Sequence, residues 1–415
     1  MSRASESSDE PFAVSSPVSS PGDPTKAPRD QWLPNDELRD TYGHSPVKKM
    51  FEDLDVYGIG YEPRRAERRP VRFGVIGVGG VSQSKWLPAL ARLQTLWDTV
   101  ELVGVADPDE IQGRKVERLH GGRWYAEPVE MLEMEQPEAV LVASPDRLHA
   151  QHTREVLNRG IAALVEKPFC TSLVDADGLC KLANESGTKL MAVNNLRYSP
   201  PFRRARQLTS SLAAFNAPGL FLGRMQLGYD YVDLLEDTTV HLYDLARFFM
   251  GDVEQVEAHG IGSQGGRHPY PFRQAAITMK FVSGSVGQFA TSAAALSLKP
   301  WLRVEVHGDG SWLVVDDVFE LTLYDNETGP TKSWRPVLTG TLVFDEEFGG
   351  YMNQLEHFLQ VLRGEEPALG DGTDGYRALE MVAATHLAIA RGVPVQMPLD
   401  PAAADREVAA ALGRG

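Results

Sequence analysis

A glycine-rich turn near residue 77 constrains the fold of this chain more than any other feature of its sequence. Residues 71–76 form a short apolar run that predicts a buried strand, and residues 77–82 (Gly-Val-Gly-Gly-Val-Ser) follow it and open a segment of helical pattern. Here Gly77 permits a tight turn, and Gly79 lets the backbone approach a pyrophosphate at the helix N-terminus. Ser82 stands where the usual fingerprint has its third glycine. The turn predicts a dinucleotide site, although glycine turns also join strands to helices elsewhere.

Strands and helices alternate up to residue 194. Apolar runs predict strands at 71–76, 100–106, 139–143, 162–165 and 189–193. Helical patterns predict helices at 82–93, 111–119, 149–159 and 173–186. Helices of about 10–15 residues between strands are typical of parallel βαβ units, so this part predicts a doubly wound parallel sheet of the Rossmann type.

The pattern changes after residue 194. Strands are predicted at 219–232, 253–262, 275–291, 302–307, 312–316 and 319–325. Most follow one another through turns rich in Gly, Asp and Asn, which favours a large, mostly antiparallel open sheet. Helices are predicted at 202–212, 239–250, 351–363 and 375–391. The second part is therefore expected to be an α+β domain.

These patterns divide the α/β chain into five segments. We expect a disordered Ser/Pro-rich tail at 1–30, an N-terminal extension at 31–70 and the dinucleotide-binding domain at 71–194. The α+β domain, for substrate binding and oligomerisation, follows at 195–400, and a C-terminal tail occupies 401–415.

Composition excludes several classes of partner. The 415 residues carry a formal net charge of −16, which argues against binding to the phosphate backbone of nucleic acids. No window approaches the ~20 apolar residues that span a bilayer, so we expect no membrane insertion. Two cysteines, Cys170 and Cys180, cannot form a disulfide framework, which favours the cytoplasm.

Two charged residues end predicted strands. Asp107 ends the second strand, where a carboxylate would accept a hydrogen bond from the ribose 2′-OH of NAD. The alternative is that Asp107 or Asp109 caps the next helix. Lys167 belongs to a Glu-Lys-Pro turn at 166–168, directly after the strand 162–165, and is expected to point into the crevice where such sheets bind ligands. The alternative is a solvated surface lysine.

A third motif places ionisable groups at helical spacing. Asp237 and His241 are i and i+4, so they would share one face of a helix, and Asp244 follows three residues later. A carboxylate beside an imidazole raises its basicity and suits a general base. Taken in isolation, the motif favours a plainer interpretation, in which Asp237 is a helix cap and His241 a surface residue.

Together these motifs resemble the Gfo/Idh/MocA family of oxidoreductases, from about residue 71 to 399. The resemblance rests on the glycine turn, a Ser-Pro-Asp segment that leads to His149, the Glu-Lys-Pro turn, Asn195-x-Arg197-Tyr198, the Asp-x-x-x-His-x-x-Asp helix, and the run 351–358. The chain departs from the family at 232–236 (Val-Asp-Leu-Leu-Glu), where glycines usually precede the Asp-x-x-x-His motif, and in its N-terminal extension.

The resemblance implies a nicotinamide enzyme that acts on a sugar or cyclitol, with NAD or NADP as cofactor. By this resemblance Lys167 contacts the nicotinamide ribose and the substrate hydroxyl, His241 takes the hydroxyl proton, and Asp237 assists His241. It offers a cofactor set: Gly77, Gly79, Gly80, Val81, Asp107, Ser144, Pro145, His149, Glu166 and Lys167. It offers a substrate set: Lys167, Arg197, Tyr198, Asp237 and His241.

The resemblance also implies a homodimer or homotetramer formed through the C-terminal sheet. No metal is expected in the reaction, and His149 and His152 have no third ligand partner in the pattern. Two other functions stay open: a catalytically silent NAD-binding sensor, and an NAD-dependent glycosidase of the same fold.

Overall fold

The computed structural model describes residues 69–216, 219–227, 232–262, 270–294, 300–325, 332–335 and 349–413. The expected tail at 1–30, nearly all of the extension at 31–70, and residues 414–415 lie outside these ranges. No helix within them is both long enough and apolar enough to cross a membrane.

The first sheet is parallel and confirms the predicted doubly wound arrangement. Its six strands lie in the order β3-β2-β1-β4-β5-β6. They are β1 (Val71–Ile76), β2 (Val100–Ala106), β3 (Arg123–Tyr125), β4 (Ala139–Val142), β5 (Ala162–Val165) and β6 (Leu190–Ala192). The central strands are buried on both faces, which explains why they are continuous apolar runs rather than alternating ones.

Helices cover this sheet on both faces. They are α1 (Leu87–Arg92), α2 (Glu110–His120), α3 (Pro128–Glu135), α4 (Asp146–Leu157) and α5 (Leu173–Ser186). π-helical turns at Ser82–Trp86 and Leu93–Trp97 extend α1 at both ends. Pro88 lies where the first π-helical turn passes into α1, so its missing N–H falls at a change in the hydrogen-bond register of the helix. The sequence patterns did not predict β3 or α3, because each is short and buries only one or two side chains.

The second sheet has nine strands among the described residues, in the order β14-β13-β12-β11-β7-β10-β9-β8-β15. They are β7 (Leu220–Gln226), β8 (Val253–Gly262), β9 (Phe272–Phe281), β10 (Val286–Ser292), β11 (Leu302–His307), β12 (Trp312–Asp316), β13 (Glu320–Tyr324), β14 (Lys332–Trp334) and β15 (Val395–Gln396). Only β7 and β10 pair in parallel, so the prediction of a mostly antiparallel sheet is confirmed.

One predicted strand of this sheet was wrong. The run 275–291 forms two strands, β9 and β10, because a tight turn at 282–285 reverses the chain. In that turn Gly284 has φ +85°, a backbone conformation that favours glycine.

The later helices are α6 (Pro200–Ser211), α7 (Val240–Met250), α8 (Tyr351–Leu362), α9 (Gly372–Arg391) and α10 (Pro401–Ala411). 3₁₀ turns occur at Asn195–Tyr198 and Ala213–Phe215, and a π-helical turn, Leu234–Thr239, leads into α7.

Residues 401–411, assigned to a tail from the sequence, form α10 because Asp400 caps it and Pro401 opens it. The carboxylate of Asp405 on α10 accepts hydrogen bonds from the Leu173 and Val174 amides, so α10 caps the N-terminus of α5.

Helices from the end of the chain cover the first sheet near its β6 edge. Met352 and Phe358 of α8 belong to the same apolar core as Phe73 of β1. On α9, a Cβ at Gly375 would lie 2.5 Å from the Cβ of Ala192, so the helix approaches β6 too closely for any side chain there. The two halves of the chain therefore share their cores.

Candidate active site

The glycine turn after β1 leaves open space at the carboxyl end of the first sheet. Gly77 has φ +91°, and a Cβ there would lie 2.4 Å from the Ala143 carbonyl oxygen, so only glycine fits. Gly79 and Gly80 are exposed, with nothing within 4 Å of where their Cβ atoms would be. The Ser82 hydroxyl donates to the Gly77 carbonyl at 2.7 Å, which holds the turn against the helix. The turn forms a cradle that side chains at 79 and 80 would fill.

The sheet order explains why this turn meets the other predicted residues. The strand order reverses between β1 and β4, and ligands bind such sheets at that switch point, beyond the carboxyl ends of the strands. The turn at Gly77, the segment that begins at Ser144 and the turn at Lys167 follow β1, β4 and β5, respectively. These three connections therefore lie at one edge of the sheet.

Asp107 is tied to the glycine turn. One carboxylate oxygen accepts from the Val78 amide at 2.8 Å, and the other accepts from the Asp109 amide at 2.9 Å. The helix cap is Asp109, whose carboxylate accepts from the amides of Ile111 and Gln112. Of the alternatives raised from the sequence, the cap therefore belongs to Asp109, while Asp107 presents its charge beside the cradle.

His149 joins the segment that follows β4 to the turn that follows β5. Its ring is 1% exposed, with Nε2 2.7 Å from the Ser144 carbonyl and Nδ1 2.8 Å from the Pro168 carbonyl. Both oxygens are acceptors, so both contacts are hydrogen bonds only when the ring carries two protons. The expected direct contact with a cofactor does not fit this geometry, because both ring nitrogens face the protein backbone. Nearby, the Ser144 hydroxyl lies 2.9 Å from Nδ1 of His152, and Pro145 is exposed at the start of α4.

Glu166 lies beneath the site. Its carboxylate is buried and accepts from the Trp86 indole at 2.8 Å and from the Lys167 amide at 2.9 Å. Burial raises the pKa of Glu166. The residue therefore anchors the turn that carries Lys167, whose peptide bond to Pro168 is cis.

Lys167 meets Asp237 across the two halves of the chain. The Lys167 Nζ lies 3.2 Å from the Asp237 carbonyl oxygen and 3.4 Å from its Oδ1, and both side chains are partly exposed. The other Asp237 oxygen accepts from the Asp233 amide at 3.0 Å. The lysine is thus a held cation that faces the cleft, and the alternative of a freely solvated side chain does not fit.

His241 is neutral in this setting. Burial, followed by the positive charge of Lys167, lowers its pKa from 6.5 to about 3. No residue among those described hydrogen-bonds to its ring. The expectation that Asp237 raises its basicity was wrong, because the segment that holds Asp237 is π-helical, and the i, i+4 geometry of an α-helix does not apply there. The carboxylate turns to Lys167 instead.

Two further residues of the site were not predicted. Burial raises the pKa of Asp146, at the start of α4, and repulsion from Asp237 raises it further. The pKa of Tyr270 is raised by burial and then by four carboxylates, those of Asp237, Asp233, Asp146 and Glu236. Asp146 stood in the Ser-Pro-Asp segment, but its distance in sequence from Asp237 hid their proximity.

Arg197 and Tyr198 are interior residues. The Arg197 guanidinium donates to Asp244 at 2.8 Å and to Asp374 at 2.9 Å, and is 3% exposed. Tyr198 is 1% exposed, with its hydroxyl 3.7 Å from the sulfur of Met191. The expectation that they contact substrate does not fit this burial, because their polar groups are directed at the protein.

The described site therefore combines an open cradle beside a helix N-terminus with an ammonium, a carboxylate and a neutral imidazole. The cradle suits a diphosphate, and its neighbouring carboxylate suits a ribose diol. The lysine can stabilise a developing alkoxide, and the imidazole can accept a proton.

Comparisons with known proteins agree with this geometry. A family model described as an oxidoreductase family with an NAD-binding Rossmann fold matches residues 71–194. A second, described as the oxidoreductase family's C-terminal alpha/beta domain, matches residues 234–397. Together they match more than half of the chain.

Two of the relatives are named as dehydrogenases of D-apiose and of myo-inositol. D-apiose dehydrogenase from Paraburkholderia graminis is 26% identical over 320 residues, which cover 72% of this chain and 84% of the relative. Myo-inositol 2-dehydrogenase from Thermotoga maritima is 25% identical over 326 residues, covering 74% and 93%, respectively.

Solved structures share the fold. An oxidoreductase from Agrobacterium radiobacter in complex with NAD⁺, L-tartaric acid and magnesium has a TM-score of 0.70 at 18% identity, covering 79% of this chain and 98% of that one. The WlbA dehydrogenase from Bordetella pertussis in complex with NADH and UDP-GlcNAcA has a TM-score of 0.64 at 20% identity, covering 80% and 100%.

Proposed function

The chain belongs to the Gfo/Idh/MocA family of oxidoreductases, and from this membership we propose that it transfers a hydride between NAD and a CH–OH carbon of a sugar or cyclitol. The observation that carries the proposal is the meeting of Lys167 with Asp237 near His241, at the edge of the sheet that also bears the glycine cradle. Relatives named for D-apiose and myo-inositol support the substrate class.

The cofactor site is built from the cradle and one acid. The Gly79 and Gly80 backbones would approach the pyrophosphate, and Asp107 would accept from the adenosine ribose. Bound NAD supplies the hydride acceptor. We favour NAD over NADP because the Asp107 carboxylate is fixed by two amides and would repel a 2′-phosphate. The nearby cations are engaged, since Arg114 pairs with Glu117 at 3.0 Å and Lys115 donates to Gln83 at 3.2 Å.

Separate groups accept the proton and stabilise the negative charge that develops in the reaction. His241, held neutral by burial and Lys167, accepts the hydroxyl proton. The ammonium of Lys167 stabilises the developing alkoxide, and Asp237 keeps that ammonium in place. In this assignment Asp237 orients the lysine rather than assisting the imidazole.

The charge of the cleft restricts the substrate further. Asp146 and Asp237 repel each other and both act on Tyr270, and among the described residues the ammonium that faces them is that of Lys167. A negatively charged sugar would meet these carboxylates at short range. We therefore propose a neutral or amine-bearing polyol as substrate, in preference to a sugar acid.

A substrate panel tests the proposal. Neutral cyclitols, neutral sugars, an aminocyclitol and a uronic acid are each offered with NAD and with NADP, and reduced cofactor is followed by absorbance. We expect turnover with NAD on neutral or amine-bearing polyols, and no turnover with the uronic acid.

Variants test the assignment of roles. His241→Ala should lower kcat about 10²–10⁴-fold and leave NAD affinity within twofold, because a positioned proton acceptor is lost. His259→Ala, at an exposed position on β8, is the matched control. Near-normal turnover in His241→Ala would reject the mechanism, and NAD binding without turnover on any polyol would favour the silent sensor.

Assembly and compartment are part of the proposal. We propose a homodimer or homotetramer through the second sheet, where partly exposed Trp312 stacks on Tyr324 with ring centroids 4.1 Å apart. Light scattering on Trp312→Asp should show the dissociated subunit, whereas an unchanged mass would exclude this face. A reducing cytoplasm fits the free thiols of Cys170 and Cys180.

A further inference from the structure

Three side chains of types that can bind a metal ion meet beside the segment that carries Asp237. One ligand atom from each of Asp233, Glu236 and His386 lies within 4.8 Å of the other two. Asp233 caps the π-helical turn Leu234–Thr239, Glu236 lies in its first turn, and His386 comes from α9. Asp233 and His386 are 3% and 2% exposed, and Glu236 is half-buried.

Two of the three residues, Asp233 and Glu236, lie in the segment in which the chain departs from its family. Residues 232–236 replace the glycines that usually precede the Asp-x-x-x-His motif, and two of them are carboxylates. Carboxylate oxygens and imidazole nitrogens are both ligands that transition-metal ions take in proteins. An imidazole from a separate helix adds a donor that a purely acidic surface cluster lacks.

We propose that Asp233, Glu236 and His386 bind a divalent transition-metal ion of the zinc class. Metal–ligand distances of ~2.0–2.2 Å put the ligand atoms of a tetrahedral site about 3.4 Å apart, so each atom needs to move by less than about 1 Å. Imidazole with carboxylates suits Zn²⁺ better than Mg²⁺ or Ca²⁺, which take oxygen ligands. Three protein ligands leave a fourth position for water.

A cavity gives the ion a route to the site. It has a volume of about 220 Å³, lies where α5, α9 and α10 meet, and is lined by both Glu236 and His386. Ser172 and Asp405 lie on its wall, joined to each other by a 2.8 Å hydrogen bond. Water in this cavity can complete the coordination of the ion.

The site is coupled to the cleft through one residue. The Asp233 amide donates to the Asp237 carboxylate at 3.0 Å, and the Asp237 amide donates to the Asp233 carbonyl at 3.1 Å. An ion on the Asp233 carboxylate fixes the turn from which Asp237 reaches Lys167. The metal is a positioning element and takes no part in the hydride transfer.

Metal binding to the untagged, chelator-treated full chain tests the inference without any assay of turnover. Equilibrium dialysis with Zn²⁺ should give one bound equivalent, and Co²⁺ should give a visible d–d band that Zn²⁺ displaces. Mg²⁺ at the same concentration should not bind. Absence of a stoichiometric site for either transition metal would overturn the inference.

Variants locate the site. Glu236→Gln and His386→Gln should each lower the affinity for Zn²⁺ at least about tenfold, since each removes one of three ligands. His259→Gln, which removes an exposed histidine, should bind as the unaltered chain does. If His386→Gln fails to fold, the Zn²⁺ affinity of Glu236→Gln, a change at a half-buried position, tests the site on its own. Undiminished affinity in Glu236→Gln would place the metal elsewhere and refute the site, whatever the outcome of the substrate panel.

Discussion

The ionisation of His241 links the electrostatics of the site to the stability of the whole chain. Burial and Lys167 lower its pKa from 6.5 to about 3. Below pH 6.5 the His241 ring therefore binds a proton in the unfolded chain and stays neutral in the folded chain, so acid favours unfolding. The contribution is fully present above pH 6.5 and is lost as the pH falls from there towards 3.

The size of the effect follows from these two values. Each pH unit below 6.5 costs about 1.4 kcal/mol, which gives about 2 kcal/mol at pH 5. His241 keeps part of its surface exposed to solvent. Solvent screening therefore reduces the cost at pH 5 to about 1–2 kcal/mol. The ratio of folded to unfolded chain should then fall by about 5–30-fold on this account alone.

Urea unfolding at pH 7 and pH 5 measures the contribution of His241 to the pH dependence of stability. The free energy of unfolding of His241→Gln should fall by about 1–2 kcal/mol less than that of the unaltered chain, since glutamine does not titrate. His259→Gln, an exposed control, should behave as the unaltered chain does. In ¹³C-histidine NMR, the His241 signal should not move between pH 7.5 and 5. A signal that titrates near 6.5, or equal acid sensitivity in both chains, would refute the reasoning.

Three other outcomes test the cradle, the cofactor preference and the buried ion network. Gly77→Ala should lower the melting temperature, because its Cβ would lie 2.4 Å from a carbonyl oxygen. Gly79→Ala should leave the melting temperature unchanged and weaken the binding of NAD. Normal NAD affinity in Gly79→Ala would contradict the role of the cradle. Asp107→Asn, which keeps the shape of the side chain, should raise affinity for NADP relative to NAD in fluorescence titrations, and an unchanged ratio would remove its role. Arg197→Met should cost about 3–5 kcal/mol in urea unfolding by stranding Asp244, and adding Asp244→Leu should recover part of it; no recovery would show that packing dominates.

The first half of the fold is readable from the sequence because its strands are buried on both faces. The run 71–76 and the turn at Gly77 carry their information locally, in side-chain type and in a required φ. The elements β3 and α3 bury too few side chains to stand out. The strands β9 and β10 were predicted as one strand, although the turn between them carries the polar residues Ser283, Gly284 and Ser285.

The chemistry of the site was harder to predict because it depends on contacts between distant residues. Asp237 and His241 are neighbours in sequence, yet Asp237 pairs with Lys167, which is 70 residues away. Arg197 was expected to contact the substrate, whereas the folded chain pairs it with Asp244 and Asp374. Spacing rules assume a helix type, and the π-helical turn before α7 changes which side chains share a face.

The covering of the first sheet by α8 and α9 has a consequence for biosynthesis. Strand β6 ends at Ala192, whereas α8 begins at Tyr351, so a ribosome needs about 8–30 s to reach the helices after the sheet is complete. During that interval the apolar faces beside β6 lack their partners, and the nascent sheet offers them to chaperones. A chain released before residue 351 would never bury them, which makes premature termination a source of aggregation rather than of a free nucleotide-binding domain.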